Sequence, residues 1–109
     1  MLIDFNKLPE FQGEKMNGGE GRVFAKMYND PMNRIIVSRL PKGSSIGTHT
    51  HTTGSDINFV VSGIGEAVCD GVPEHLTAGT CHYCPKGSSH SITNAGEEDL
   101  VLFTVVPQQ

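Results

Sequence analysis

The sequence has no tryptophan, only two tyrosines and few basic residues, and the last shortage bears on function. Eight Lys and Arg stand against twelve Asp and Glu, for a net charge of −4. A nucleic-acid partner is therefore not expected, because phosphate binding needs a basic face. No stretch approaches the ~20 consecutive apolar residues that cross a bilayer, so no membrane partner is expected either. The opening residues Met1-Leu2-Ile3-Asp4-Phe5-Asn6-Lys7 lack a basic start followed by an apolar core, and no secretory leader is visible. Cysteines number three, an odd count. Free thiols in a reducing, cytoplasmic setting are the expectation. A sustained helical repeat is missing as well. With 109 residues, the chain has room for one core and not two.

What the chain does have is a succession of short apolar runs. Val23–Met27, Arg34–Leu40, Ile57–Val61, Glu66–Cys69, Glu74–Thr77, Thr80–Cys84, His90–Thr93 and Leu100–Val106 are rich in β-branched or aromatic residues, the composition of strands. Turn residues separate them. Asp70-Gly71 is the clearest hairpin signal, since a tight primed turn needs positive φ at both central positions. Residues 22–109 are thus expected to form an all-β sandwich, jelly roll or barrel. Residues 1–21 read differently. Leu2, Phe5, Leu8 and Phe11 fit a short helical turn or an extended arm, and Met16–Gly21 fits a flexible link. Its glycines lead into a strand, not a helix, which argues against a phosphate loop.

Five histidines, at 49, 51, 75, 82 and 90, carry the chemical interest. Residues two apart on a strand share a face, so His49-Thr50-His51 sets two imidazoles side by side, within reach of one metal ion. A third ligand must come from another strand. The segments around them are specific: Gly43, then five residues, His49-Thr50-His51, four residues, Asp56, six residues, Gly63; and Gly79, five residues, Pro85-Lys86-Gly87, two residues, His90, three residues, Asn94. These resemble the two signature motifs of the cupin family. Every fixed position of the second is filled, and the first departs only in Asp56, where the family has Glu. The resemblance implies a cupin double-stranded β-helix, a small jelly-roll barrel. It also implies one divalent transition-metal ion (Zn, Fe, Ni, Mn or Cu) on His49, His51, Asp56 and His90. Cupins of one barrel often pair, which implies a homodimer, sometimes with exchange of an N-terminal segment.

Asp56 is shorter than Glu by roughly 1.3–1.5 Å of reach. Either its backbone moves inward and the carboxylate binds the ion, or it acts through a water or a histidine N–H. Asn58 and Val60 share its face by alternation. Tyr83, Phe24, Met27, Arg39 and Phe103 are candidate pocket walls, although core packing accounts for the apolar ones equally well. Cys81 and Cys84 lie three apart, on opposite faces of a strand, so they do not clamp one ion and are expected to be buried structural residues. His75 belongs on the surface. His82 is ambiguous: inside the barrel it would touch the site, outside it would only pack, and packing is the preferred reading. Function divides between a metal-dependent enzyme on a small organic molecule (a dioxygenase, isomerase or lyase) and a non-catalytic metallo-module that binds a small ligand or the metal itself.

Overall fold

Each of the apolar runs becomes a strand paired with at least one other. The computed structural model describes residues 1–109. Its strands are β1 (Phe11–Glu14), β2 (Arg22–Asn29), β3 (Asn33–Leu40), β4 (Ser45–Thr50), β5 (Asp56–Ser62), β6 (Gly65–Cys69), β7 (Val72–Leu76), β8 (Cys81–Cys84), β9 (Ser89–Asn94) and β10 (Leu100–Pro107). They form a six-stranded sheet in the order β1-β2-β3-β10-β5-β8 and a four-stranded sheet in the order β4-β9-β6-β7, antiparallel throughout. This is the jelly-roll arrangement expected from the sequence. Asp70 and Gly71, at φ 48° and 82°, make the tight turn between β6 and β7.

Alternation along each strand decides what meets between the sheets. Leu100 and Leu102 of β10, Leu40 of β3 and Val60 of β5 face Ala67, Leu76 and Ile92 of the other sheet, with Val23 joining them, to form the buried core. At the other end of the same inner faces, the apolar residues give way to Asp56, Asn58, His82 and His90, all buried. The outer face of the six-stranded sheet is apolar too. Phe59 lies opposite Phe103, which lies opposite Val37, and both phenylalanines are exposed.

The segment before residue 22 is held against the barrel. β1 adds an edge strand beside β2, with Phe11 opposite Ala25. Met16–Gly18 makes a 3₁₀ turn that lies backbone to backbone on β4. A Cβ on Gly19 would stand 2.2 Å from the Ser45 carbonyl oxygen, and one on Gly47 would stand 2.1 Å from that of Asn17. The glycines expected to make a link therefore permit a close approach. Near the N-terminus, Phe5 sets its ring edge-on to Phe103 at 6.3 Å.

Candidate metal centre

β4 carries His49, and a bulge aims it. Ile46 lies opposite Ile92 and His49 opposite His90, so β4 has one more residue than β9 across that interval. The extra residue turns His49 to the inner side, as bulges beside sites often do. His51 follows the end of β4 and is fastened to the Pro85–Gly87 turn. Its N–H donates to Ser88 O at 3.1 Å, and its own carbonyl accepts from the Gly87 N–H at 2.6 Å. Gly87, at φ 91°, gives that turn a conformation other residues rarely adopt. His90 and Asp56 come from β9 and β5, in opposite sheets.

Four donor atoms meet where these elements converge. The Nε2 atoms of His49, His51 and His90 form a triangle with sides of 3.0, 2.9 and 3.2 Å. Asp56 Oδ2 lies 2.9 Å from His51 Nε2 and 3.1 Å from His90 Nε2. The four ligating atoms fall within 4.8 Å of one another. Such a triangle has no solution in protons alone. Each ring nitrogen offers either one proton or one lone pair, so three mutual contacts cannot all be hydrogen bonds. His49 donates from Nδ1 to the Gly47 carbonyl at 2.8 Å, which leaves a bare lone pair at its Nε2. A cation among the four atoms would satisfy every contact at once. Ligands sharing one ion through bonds of ~2.0–2.1 Å sit about 2.9–3.4 Å apart, so the spacing fits. The cluster can hold a metal ion.

Asp56 is fixed by its neighbours. Asn58 donates from Nδ2 to Asp56 Oδ1 at 3.1 Å, and Thr104 donates to Asn58 Oδ1 at 2.7 Å. Oδ2 is thereby left to face the histidines. Burial pushes the Asp56 carboxyl up, but its contacts with His90 and His51 and the Asn58 hydrogen bond outweigh it, so its pKa falls below the ordinary carboxylate value. His51 is also lowered, first by burial, against the opposing pull of Asp56 and with the help of the other two imidazoles.

Both shifts act on stability in the same direction. His51, held below its ordinary 6.5, takes up a proton more readily in the unfolded chain than in the folded one, so stability falls as pH drops below 6.5. Asp56 adds to the loss below 3.8, its ordinary value, as its depressed folded pKa is approached. Thermal melts of the metal-free protein should show a midpoint that declines from about pH 7 to about pH 5. A midpoint that rises on acidification would contradict the assigned directions.

His82 departs from the outward packing expected of it. It is wholly buried, with Nε2 2.8 Å from His90 Nδ1 and Nδ1 2.8 Å from Glu74 Oε1. Register explains the difference. His82 lies opposite Asn58 and Cys84 opposite Asp56, so β8 shares the inner face of β5. Glu74 was invisible to motif reading, although it shares a face of β7 with buried Leu76. His75 is exposed, as expected, and its partner there is Glu66.

The cysteines divide as alternation requires: Cys84 is buried, whereas Cys81 is exposed, contrary to the expectation that both lie inside. Burial, the neighbouring Cys69 thiol and the carboxylates of Asp56 and Asp70 push the Cys84 thiol up to about 12. It is therefore a poor source of thiolate.

The four donors open onto a cavity of about 360 Å³ between the sheets. Its walls are mainly apolar, among them Val23, Met27, Ile36, Ile46 and Leu102, with Arg34, Thr53 and Gln108 as polar members. Of the candidate walls only Met27 takes part. Phe24, Arg39, Tyr83 and Phe103 lie on outward-facing positions of their strands, where Arg39 stacks over Phe24 at 3.9 Å and pairs with Glu10 and Asp99. Asn58 reaches the cavity; Val60 sits deeper, in the core.

Comparison with known proteins agrees with this architecture. A family model described as a cupin domain matches residues 36–106. The chain is 32% identical over 112 residues to an oxalate-binding protein of Thermotoga maritima, covering 97% of this chain and 93% of that one. A crystal structure of a predicted oxalate decarboxylase from Thermotoga maritima superposes with a TM-score of 0.93 and 27% identity over the full length of both chains. An RmlC-like cupin from Shewanella frigidimarina, 20% identical, gives a TM-score of 0.78 over 98% of this chain and 89% of that one, and so shares the fold. With both histidine motifs in register and a family match across most of the barrel, the chain belongs to the cupin family.

Proposed function

We propose that the protein holds one divalent transition-metal ion on His49, His51, His90 and Asp56, and uses it to take a small carboxylate into the cavity. The observation that carries this reading is the convergence of three Nε2 atoms and one carboxylate oxygen at a cavity wall. Imidazole with one carboxylate suits zinc, iron, nickel, manganese or copper. Because the four donors line the cavity, an ion held by them would keep open positions on that side for a ligand. Arg34, also on the wall, makes no ion pair or hydrogen bond within the protein, which leaves its guanidinium to an anion. The similar protein from Thermotoga maritima is named for oxalate binding, which supports a carboxylate in this cavity as well. The apolar walls admit something larger than a two-carbon acid.

A catalytic reading follows from the same open positions: a dioxygenase, isomerase or lyase acting on a small organic molecule. A bound ion would polarise a substrate oxygen there. Asp56, with Oδ2 beside two imidazoles and Oδ1 held by Asn58, is the residue placed to tune the ion's charge. The pairing state and compartment belong to the same proposal. A homodimer through the apolar outer face of the six-stranded sheet would cover Phe59 and Phe103. The free thiols fit the cytoplasm.

Elemental analysis of untagged protein, followed by calorimetric titration with oxalate before and after metal removal, tests the reading. About one equivalent of metal per chain, with carboxylate binding only to the loaded form, is expected. A protein that takes up none of the five metals on soaking would overturn it. Asp56→Ala is expected to weaken metal affinity by at least the ~10–100-fold that a supporting residue contributes. An unchanged affinity would remove Asp56 from the ligand set.

A further inference from the structure

His82 has no place in the ligand set, yet it is wholly buried and joins that set to the outside of the barrel. Reaching across from β8 in the six-stranded sheet, its ring bridges two strands of the four-stranded sheet, from Glu74 on β7 to His90 on β9. The Glu74 side chain is 38% exposed, so the row runs from the surface to the centre. We infer that Glu74 and His82 are positioning residues that fix the tautomer of His90 and hold its Nε2 lone pair toward the ion. This rests on the metal reading proposed above.

Hydrogen-bond accounting gives the row a direction. An ionised carboxylate only accepts, so the 2.8 Å contact with Glu74 makes His82 Nδ1 the donor. A neutral imidazole has one donor and one acceptor, so His82 Nε2 must then accept. Its partner at 2.8 Å, His90 Nδ1, is therefore an N–H donor. That leaves His90 Nε2 bare, facing His49, His51 and Asp56. The opposite order would place a proton on His90 Nε2 and remove it from the donor set. Glu74 decides between the two orders.

The arrangement also separates His90 from its neighbours. His49 Nδ1 is tied to a backbone carbonyl, a neutral acceptor. His90 Nδ1 is tied to an imidazole that itself leans on a carboxylate, so the orientation of its ring is fixed by a chain of side chains that ends on Glu74. The two rings stack at an interplanar angle of 18° with centroids 5.1 Å apart, so packing as well as hydrogen bonding sets their orientation. Any wholly buried histidine needs partners for both ring nitrogens; what marks this row is that it ends on a carboxylate at one side and on a histidine of the four-donor cluster at the other.

The test uses Glu74→Leu and Glu74→Gln, because Glu74 lies on an edge strand and its loss empties no core position. In the metal-free wild type, long-range ¹H–¹⁵N spectra should show His82 and His90 both as Nδ1–H tautomers, and Glu74→Leu should scramble that pattern. Zinc affinity, read by competition with a chromophoric chelator, should fall about 10–100-fold in Glu74→Leu and less in Glu74→Gln, which keeps an acceptor. Metal-free Glu74→Gln, which keeps an acceptor for the buried His82 Nδ1–H, should melt near wild type, and its tautomer pattern and zinc affinity then separate positioning from folding. Equal zinc affinities in wild type and Glu74→Leu would overturn the inference. So would an Nε2–H tautomer at either ring in the metal-free wild type. Absence of zinc binding by the wild type would instead fail the metal reading, and the tautomer spectrum would still judge the row.

Discussion

His49→Ala is expected to abolish stoichiometric metal binding while leaving the barrel folded. The variant keeps His51, His90 and Asp56 but loses the corner of the triangle that the β4 bulge supplies. Removal of a direct ligand should exceed the ~10–100-fold cost of losing a supporting contact. The folded scaffold should tolerate the change because His49 is only partly buried and lies away from the Leu40–Leu100–Leu102 core. In thermal melts with free metal at about 1,000 times Kd, a bound ion adds roughly 4 kcal/mol to the folded state. For a domain of about 100 residues, that raises Tm by on the order of 15–30 °C. The wild type should show this rise and His49→Ala should not. Equal shifts in both proteins would mean that the stabilising ion sits elsewhere.

Much of this centre was legible in the sequence because its spacing is local. His49 and His51 lie two residues apart, and His90 follows a Pro-x-Gly turn at a fixed interval, so the motifs specify the donors without knowledge of the sheet order. Asp56 falls at a motif position too, but its spacing left open whether the carboxylate reaches the group; the inward face of β5 sets its Oδ2 beside His51 and His90. The strands read from apolar runs appear as β2, β3 and β5–β10, with ends shifted by a few residues. β1 and β4 escaped. Phe-Gln-Gly-Glu carries no alternation, and its pairing with β2 is a long-range fact. Ser-Ile-Gly-Thr-His-Thr is polar and broken by the bulge, which shifts its period by one.

The parity of β8 was the harder problem. Cys-His-Tyr-Cys offers two faces of similar polarity, and an isolated four-residue strand gives no reason to bury His82 in place of Tyr83. The partner strand supplies that reason. Because Asn58 and Asp56 face inward, the residues opposite them, His82 and Cys84, must do so too. The same rule moves Tyr83, Phe103 and Phe24 from the cavity to the outside. Their displacement is informative, since it leaves aromatic rings on a sheet face where water would otherwise stand.

Phe59→Asp is expected to convert a dimer into a monomer, with the fold intact. Strands that read as continuous apolar runs are normally covered on both faces. β3, β5 and β10 are such strands: their inner residues build the core, and Ile35, Val37, Ile57, Phe59, Val61, Val101, Phe103 and Val105 alternate to the other side. Phe59 and Val61 are about half exposed in the single chain, and Tyr83 on the neighbouring strand is more so. A second copy presenting the same face about a two-fold axis would cover the patch with one self-complementary surface. Light scattering of the wild type at micromolar concentration should then give twice the chain mass of 11.7 kDa. Truncating a central aromatic anchor costs about 2–4 kcal/mol, or roughly 30- to 1,000-fold in dissociation constant. The aspartate adds to this by placing a carboxylate in an apolar interface. Phe59 points away from the metal centre, so the monomer should retain metal content and its far-ultraviolet dichroism. A wild-type mass of one chain would remove the dimer, and a Phe59→Asp protein that still scatters as two would place the interface on another surface.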